Sequence, residues 1–253
     1  MASLPSDKSK PAEQGKDLGI RAPKGKIVES FNKGKDPKSQ VMIAITDELK
    51  NDEDVYLIRS ATELLGIKIT ENLREDKAGV YSPRVSPSIK ITENLREDKA
   101  GVYSPRVSPS FKKEPNKTYS MTVSFTCAPE NVKKLVDAVY EEIDKLAKKG
   151  PSKEDLDKVK EGQRRDIEKN SKENFYWSAG LRRIYYDGSK PEGLLEAKVR
   201  ERIEKLSAKD IQKTSKKYFD YKKTSIVVSM MPEKIEEKAT DKKHQAKMME
   251  VLR

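Results

Sequence analysis

The sequence predicts an α+β domain in which helices cover one face of an antiparallel sheet. Short stretches that alternate apolar and polar residues come in adjacent pairs, longer stretches with apolar residues at helical spacing separate the pairs, and one more alternating stretch follows a run of helices. The order is β-β-α-β-β-α-α-α-α-β. A doubly wound parallel sheet would alternate single strands with helices, so paired strands argue for antiparallel hairpins.

Each element has a local signal. Residues 1 to 25 carry Pro5, Pro11 and Pro23 among many lysines and read as a flexible lead-in. Lys26 to Phe31 alternates as a strand, Gly34, Asp36 and Pro37 make a turn, and Gln40 to Ile45 reads as the second strand of a hairpin. From Asp52 to Arg74, Val55, Ile58, Leu65, Ile69 and Leu73 fall near helical spacing, and Gly66 need not interrupt them. Gly101 to Ser110 reads as a strand paired with the next. In that partner Tyr119, Met121, Val123 and Phe125 alternate with serines and threonines, the pattern of a half-buried strand.

Pro129 opens a helix with Val132, Leu135, Val136, Val139, Ile143 and Leu146 on one face, and Gly150-Pro151 stops it. Ser152 with Asp155 three residues on marks the next start, and a long helix is expected through Leu156, Val159 and Gln163 toward Trp177 and Leu181. Gly188 and Pro191 break it. Helices near 192–206 and 208–219 follow, the second capped by Ser207 with Asp210 in the capping-box position. Ser225 to Met230 is the last strand. Residues 26–231 thus read as one domain, and 232–253 as a charged tail.

Composition narrows the function classes. The chain has 253 residues, 34% hydrophobic and 38% charged, with 53 Lys+Arg against 42 Asp+Glu for a net charge of +11. The signs are mixed along helical faces, as in Lys133-Lys134 before Glu141-Glu142, and neither a nucleic-acid recognition motif nor a phosphate-cradling glycine loop is present. A basic nucleic-acid-binding domain is therefore the weakest reading. One cysteine, Cys127, excludes an intrachain disulfide. No stretch approaches the ~20 apolar residues of a membrane-spanning helix. The first 25 residues hold no apolar run of signal-peptide length, and a piece of an exported protein would look the same, so the compartment is open.

Residues 67–88 and 89–110 are identical, letter for letter: IKITENLREDKAGVYSPRVSPS. A solenoid needs three or more stacked units, so two copies point to a tandem duplication rather than a repeat architecture. The simplest accommodation keeps the helix through Arg74 from the first copy and the strand from Gly101 from the second, and loops out most of the rest. Closure entropy grows slowly enough with loop length to allow this.

The phrase Leu73-Arg74-Glu75-Asp76-Lys77-Ala78-Gly79-Val80-Tyr81-Ser82 resembles the signature of the last domain of pitrilysin/insulinase-type zinc metallopeptidases. Pro23-Lys24-Gly25, Gly34 to Val41, Phe125 to Val132 and Lys172 to Trp177 agree in order and spacing, so the resemblance covers roughly residues 23 to 231. It implies a two-halved chamber that encloses short or unfolded peptides. The N-terminal half would carry H-x-x-E-H, with zinc on its histidines and water activated by its glutamate. The C-terminal part would supply an arginine and a tyrosine, seven residues apart, to the substrate backbone and the oxyanion. That spacing occurs twice here, at Arg74 and Tyr81 and at Arg96 and Tyr103.

A permanent cation and a phenolic donor are suited to stabilising developing negative charge. The plainer reading is a helix-end cation at Arg74 and an ordinary strand aromatic at Tyr81. A catalytic zinc needs three protein ligands, whereas His244 is the only histidine and is followed by Gln245-Ala246-Lys247-Met248. The chain is therefore expected to hold no metal, to be inactive alone and to depend on a zinc-bearing partner half. Cys127 reads as a small buried residue, and Phe175, Tyr176 and Trp177 as core or interface packing. The alternative within the resemblance is a non-catalytic scaffold or partner subunit.

Overall fold

The computed structural model describes residues 17–75, 103–187 and 190–233. The strands are β1 (Gly25–Asn32), β2 (Ser39–Glu48), β3 (Tyr103–Lys112), β4 (Thr118–Cys127) and β5 (Thr224–Met231). The helices are α1 (Asp54–Glu75), α2 (Val132–Lys149), α3 (Lys153–Asn170), α4 (Asn174–Asp187), α5 (Glu196–Lys205) and α6 (Ala208–Tyr218). Short 3₁₀ turns at Pro129–Asn131 and Pro191–Leu194 precede α2 and α5.

The architecture is α+β, with one five-stranded sheet in the order β1-β5-β2-β4-β3. β2 is antiparallel to β4 and β5, and β3 to β4, while β1 runs parallel to β5. The expected β1–β2 hairpin is corrected here: β5 lies between them. The six residues between β1 and β2, 33–38, bridge two strand spacings, roughly 9.6 Å. They also bond to the end of β5, with the Lys33 N–H donating to Met231 O and the Glu233 N–H to Gly34 O. Gly34 has φ +100°, the left-handed backbone that this wide reversal requires. The exchange follows burial. β5 is apolar enough to be buried at Val227, while every residue of β1 from Val28 onward is exposed and suits an edge.

One face of the sheet is the core. Val41, Ile43 and Ile45 of β2 and Tyr119, Met121, Val123 and Phe125 of β4 meet Ile58, Ala61, Leu64, Leu65 and Ile69 of α1 and the apolar stripe of α2. α6 closes the layer. The Tyr119 hydroxyl donates to Tyr218 O, the two rings meet edge to face at 5.0 Å, and the Tyr218 hydroxyl donates to Asp54 Oδ2 at 2.5 Å. α3 packs on α1 and α5 on α3, outside that layer. β3 is an edge strand, the place in a sheet that tolerates Pro105 and Pro109.

The caps read from sequence are present. Ser152 accepts from the Asp155 N–H, and Ser207 and Asp210 form a full capping box. α1 runs unbroken through Gly66. The long helix expected from Ser152 to Leu181 is two helices, α3 and α4, parted at residues 171–173. No glycine or proline marks this break. The Trp177 indole N–H donates to Ser171 O (2.8 Å), satisfying a carbonyl that a continuous helix would have used.

Candidate functional site

Of the four candidate residues, Arg74 lies in the last turn of α1 and Tyr103 is the first residue of β3. Tyr81 and Arg96 lie outside the described residues. α1 takes residues 67–75 from the first copy of the repeat, and β3 takes 103–110 from the second. α1 therefore includes Arg74, and residues 76–102, on which the expected loop falls, lie outside the described residues.

Two contacts set α1 against β3. The Arg59 guanidinium lies 4.9 Å from the centroid of the Phe111 ring, and a Cβ on Gly66 would stand 3.5 Å from Val107 Cβ. As α1 advances from 59 to 66, β3 is met in reverse, from 111 to 107. From 66 to 74 is eight helical residues, about 12 Å at 1.5 Å each. From 107 back to 103 is four strand residues, about 13 Å at 3.3 Å each. The last turn of α1 and the start of β3 thus lie toward the same end of the domain. Tyr103 pairs with Thr126 of β4, and a register irregularity falls between Tyr103 and Arg106. Such bulges bend a strand and re-aim the residues beside them.

The end of α1 is tied on two sides. The Asn72 amide donates to Glu142 Oε1 of α2 at 2.6 Å, and Lys145 donates to the same oxygen at 2.6 Å. Glu142 is buried, so these donors satisfy a charge with little access to water. On the α3 side, Lys68 donates to Glu71 (3.2 Å) and to Asp155 (3.4 Å), and Lys158 donates to Glu71 (3.2 Å). Burial pushes the Asp155 carboxyl up, but the Ser152 hydroxyl and Lys68 outweigh it and hold the carboxyl below its ordinary range. Asp155 both caps α3 and anchors α1. Its capping role was legible in sequence. Its bond to Lys68, 87 residues away, carried no local signal, and neither did Asn72 with Glu142.

The donor set does not fit a catalytic zinc. The chain has one histidine, His244, which lies outside the described residues. Among the described residues no group of three or more His, Cys, Asp or Glu could hold a metal ion. Cys127 is buried, and its thiol is pushed up to about 11, by burial first and then by Glu130. It stays protonated at neutral pH, unlike the thiolate that metals bind.

A family model described as the Peptidase M16 inactive domain matches residues 1–163. A curated relative, the Zinc protease PQQL-like of Arabidopsis thaliana, is 32% identical over 137 residues, which are 53% of this chain and 12% of that protein. The chain therefore spans a small part of that relative's length. Among solved structures, the periplasmic protease PqqL from Escherichia coli is similar with a TM-score of 0.61 and 16% identity, over 83% of this chain and 21% of that one. A peptidase M16 inactive domain from Pseudomonas fluorescens has a TM-score of 0.60 and 16% identity, over 87% of this chain and 45% of that one. Those likenesses concern the fold. With a family match over more than half its length, the chain belongs to the Peptidase M16 family of pitrilysin/insulinase-type zinc proteases, as its inactive, C-terminal domain.

Proposed function

We propose that this domain forms the non-zinc wall of an M16 peptidase chamber, with Arg74 and Tyr103 as the pair that hydrogen-bonds the substrate backbone and the oxyanion of the tetrahedral intermediate. What supports it is that Arg74 lies in the last turn of a helix tied to both α2 and α3, and Tyr103 opens the strand against which that helix packs. A preorganised cation and donor act on charge that develops only as the reaction proceeds, and they need a rigid mount to do so. An N-terminal half, on the same parent polypeptide or a separate one, would hold zinc and activate the attacking water. Short or unfolded peptides are the substrates this reading expects.

The test is substitution in an assembled, active two-half complex. Tyr103→Phe is expected to lower turnover by roughly 10²–10³-fold, the scale of losing one oxyanion donor. Tyr81→Phe is expected to do much less, and Arg74→Ala to exceed Arg96→Ala. A larger effect at Tyr81 or Arg96 would reverse the assignment of copies. Full turnover with both Arg74→Ala and Tyr103→Phe would leave the domain a scaffold.

A further inference from the structure

α4 is the least covered helix among the described residues, sharing more than marginal contact only with the 3₁₀ turn that follows it. It carries four of the ten exposed large hydrophobic side chains there, Phe175, Leu181, Tyr185 and Tyr186. Phe175 is 77% exposed and Tyr185 85%. Isolated exposed apolar residues need no explanation, but this set shares one short helix, and two of its members, Phe175 and Tyr186, border a groove of about 830 Å³. Gly180 and Leu194 form the groove floor. A Cβ on Gly180 would meet Leu194 Cδ2 at 2.7 Å, so the glycine lets that side chain lie against the helix.

The groove lining carries two cations at one end, Arg182 and Arg183, and one carboxylate, Glu173, nine residues before Arg182. Neither arginine has a carboxylate partner among the described residues. On α3 and α5, Arg164 pairs with Glu204 at 2.7 Å, Arg165 with Glu161 at 3.0 Å and Arg200 with Glu196 at 2.7 Å, while Arg202 donates to Gly193 O and lies over the Tyr56 ring. On α1, Arg59 also has no carboxylate partner among the described residues. Loss of solvation first, and then the Arg183 charge, lower its pKa. Arg59 and Arg183 therefore lie close enough to repel, and Arg182 lines the same groove, beside the exposed Phe175 and Tyr186.

We propose that the α4 groove docks an acidic segment of a separate polypeptide, with an apolar side chain over Gly180 and Leu194 and carboxylates on Arg182 and Arg183. Guanidinium forks match carboxylates in bidentate geometry, and exposed tyrosines and arginines are the usual anchors of protein interfaces. A single-stranded nucleic acid would need a track of cations along its backbone, whereas these are gathered at one point above an aliphatic floor. This surface goes beyond the chamber role. Arg59 precedes Arg74 by fifteen residues on α1, about 22 Å at the helical rise.

Fluorescence anisotropy on the full chain tests it, using a labelled short peptide that alternates Glu with Leu and Phe. Binding is expected, with weakening at salt near 1 M, where charges are screened beyond about 3 Å. The double variant Arg182→Glu/Arg183→Glu and the single variant Phe175→Ser should each weaken it tenfold or more, while Lys133→Glu on α2 leaves it unchanged. All are surface changes, and circular dichroism checks that each variant folds. The proposal is overturned if the native chain does not bind, if the α4 variants bind as well as it does, or if a peptide with Lys in place of Glu binds equally. Displacement of the peptide by a single-stranded oligonucleotide would replace it with a nucleic-acid site. Self-association by light scattering, abolished by Phe175→Ser, would replace it with a second copy of this chain.

Discussion

α1 and α4 are both helices of mixed apolar and basic sequence, and they are used in opposite ways. α1 buries Ile58, Leu64, Leu65 and Ile69 against the sheet, and Lys68 and Lys158 meet carboxylates near its C-terminal end. α4 leaves Phe175, Tyr185 and Tyr186 in solvent, and Arg182 and Arg183 have no carboxylate partner among the described residues. The contrast separates a helix whose position is over-determined by its own domain from one whose chemistry calls for something outside it. The first kind holds its side chains in place, and the second leaves its side chains open to contact.

The largest expected effect comes from a matched truncation. Leu65→Ala should cost about 2–5 kcal/mol, because Leu65 is fully buried and its cavity cannot collapse without moving α1 off the sheet. Phe175→Ala should stay within about 0.5 kcal/mol, as for other surface changes. Denaturant titration of both measures the gap, and a cost at Phe175 approaching that at Leu65 would mean that α4 is structural.

A smaller effect is expected among the polar contacts. Glu142→Ala should cost about 1–3 kcal/mol, since it strips the buried acceptor shared by Asn72 and Lys145. Arg183→Ala should be neutral or slightly stabilising, because it removes a cation that opposes Arg59. The same titrations decide it. A loss at Arg183 equal to that at Glu142 would show that the α4 arginines are satisfied within the domain after all.

The smallest effect sharpens the comparison by finding a cost inside α1. The Tyr56 hydroxyl donates to Gln163 Oε1, and the Gln163 amide donates to Ser60 and to Glu63 Oε2 (2.9 Å). Burial raises the Glu63 pKa, the Gln163 amide partly offsets this, and the Asp166 charge adds to the rise. A carboxyl whose folded pKa lies above its unfolded value contributes stability below the unfolded value and loses it as pH rises through the folded one. At neutral pH, Glu63→Gln should therefore raise the melting temperature slightly, and the gain should vanish as pH falls below the ordinary carboxylate range. Thermal melts at the two pH values test this, and a lower melting temperature for the variant at neutral pH would contradict it.

Much of the local structure was legible because its causes are local. Ser152 and Ser207 cap through a residue three positions on, and the core face of β4 follows from Tyr119, Met121, Val123 and Phe125 alternating with small polar residues. The break between α3 and α4 was not, because its partner, the Trp177 indole, reaches back six residues across a stretch that reads as continuous helix.

By itself the sequence determined most of the helices and strands, the caps at Ser152 and Ser207, the family phrase around Arg74, and a histidine count too low for a catalytic zinc site. These depend on residue identity and on neighbours within about one helical turn. Tertiary structure alone decided that β5 enters between β1 and β2, that Asn72 meets Glu142, and that α1 packs against β3 through Gly66 and Val107. Strand order and helix register are set by which apolar faces bury one another and by which buried polar groups find partners, and those pairings join residues too far apart in sequence for any local pattern to encode.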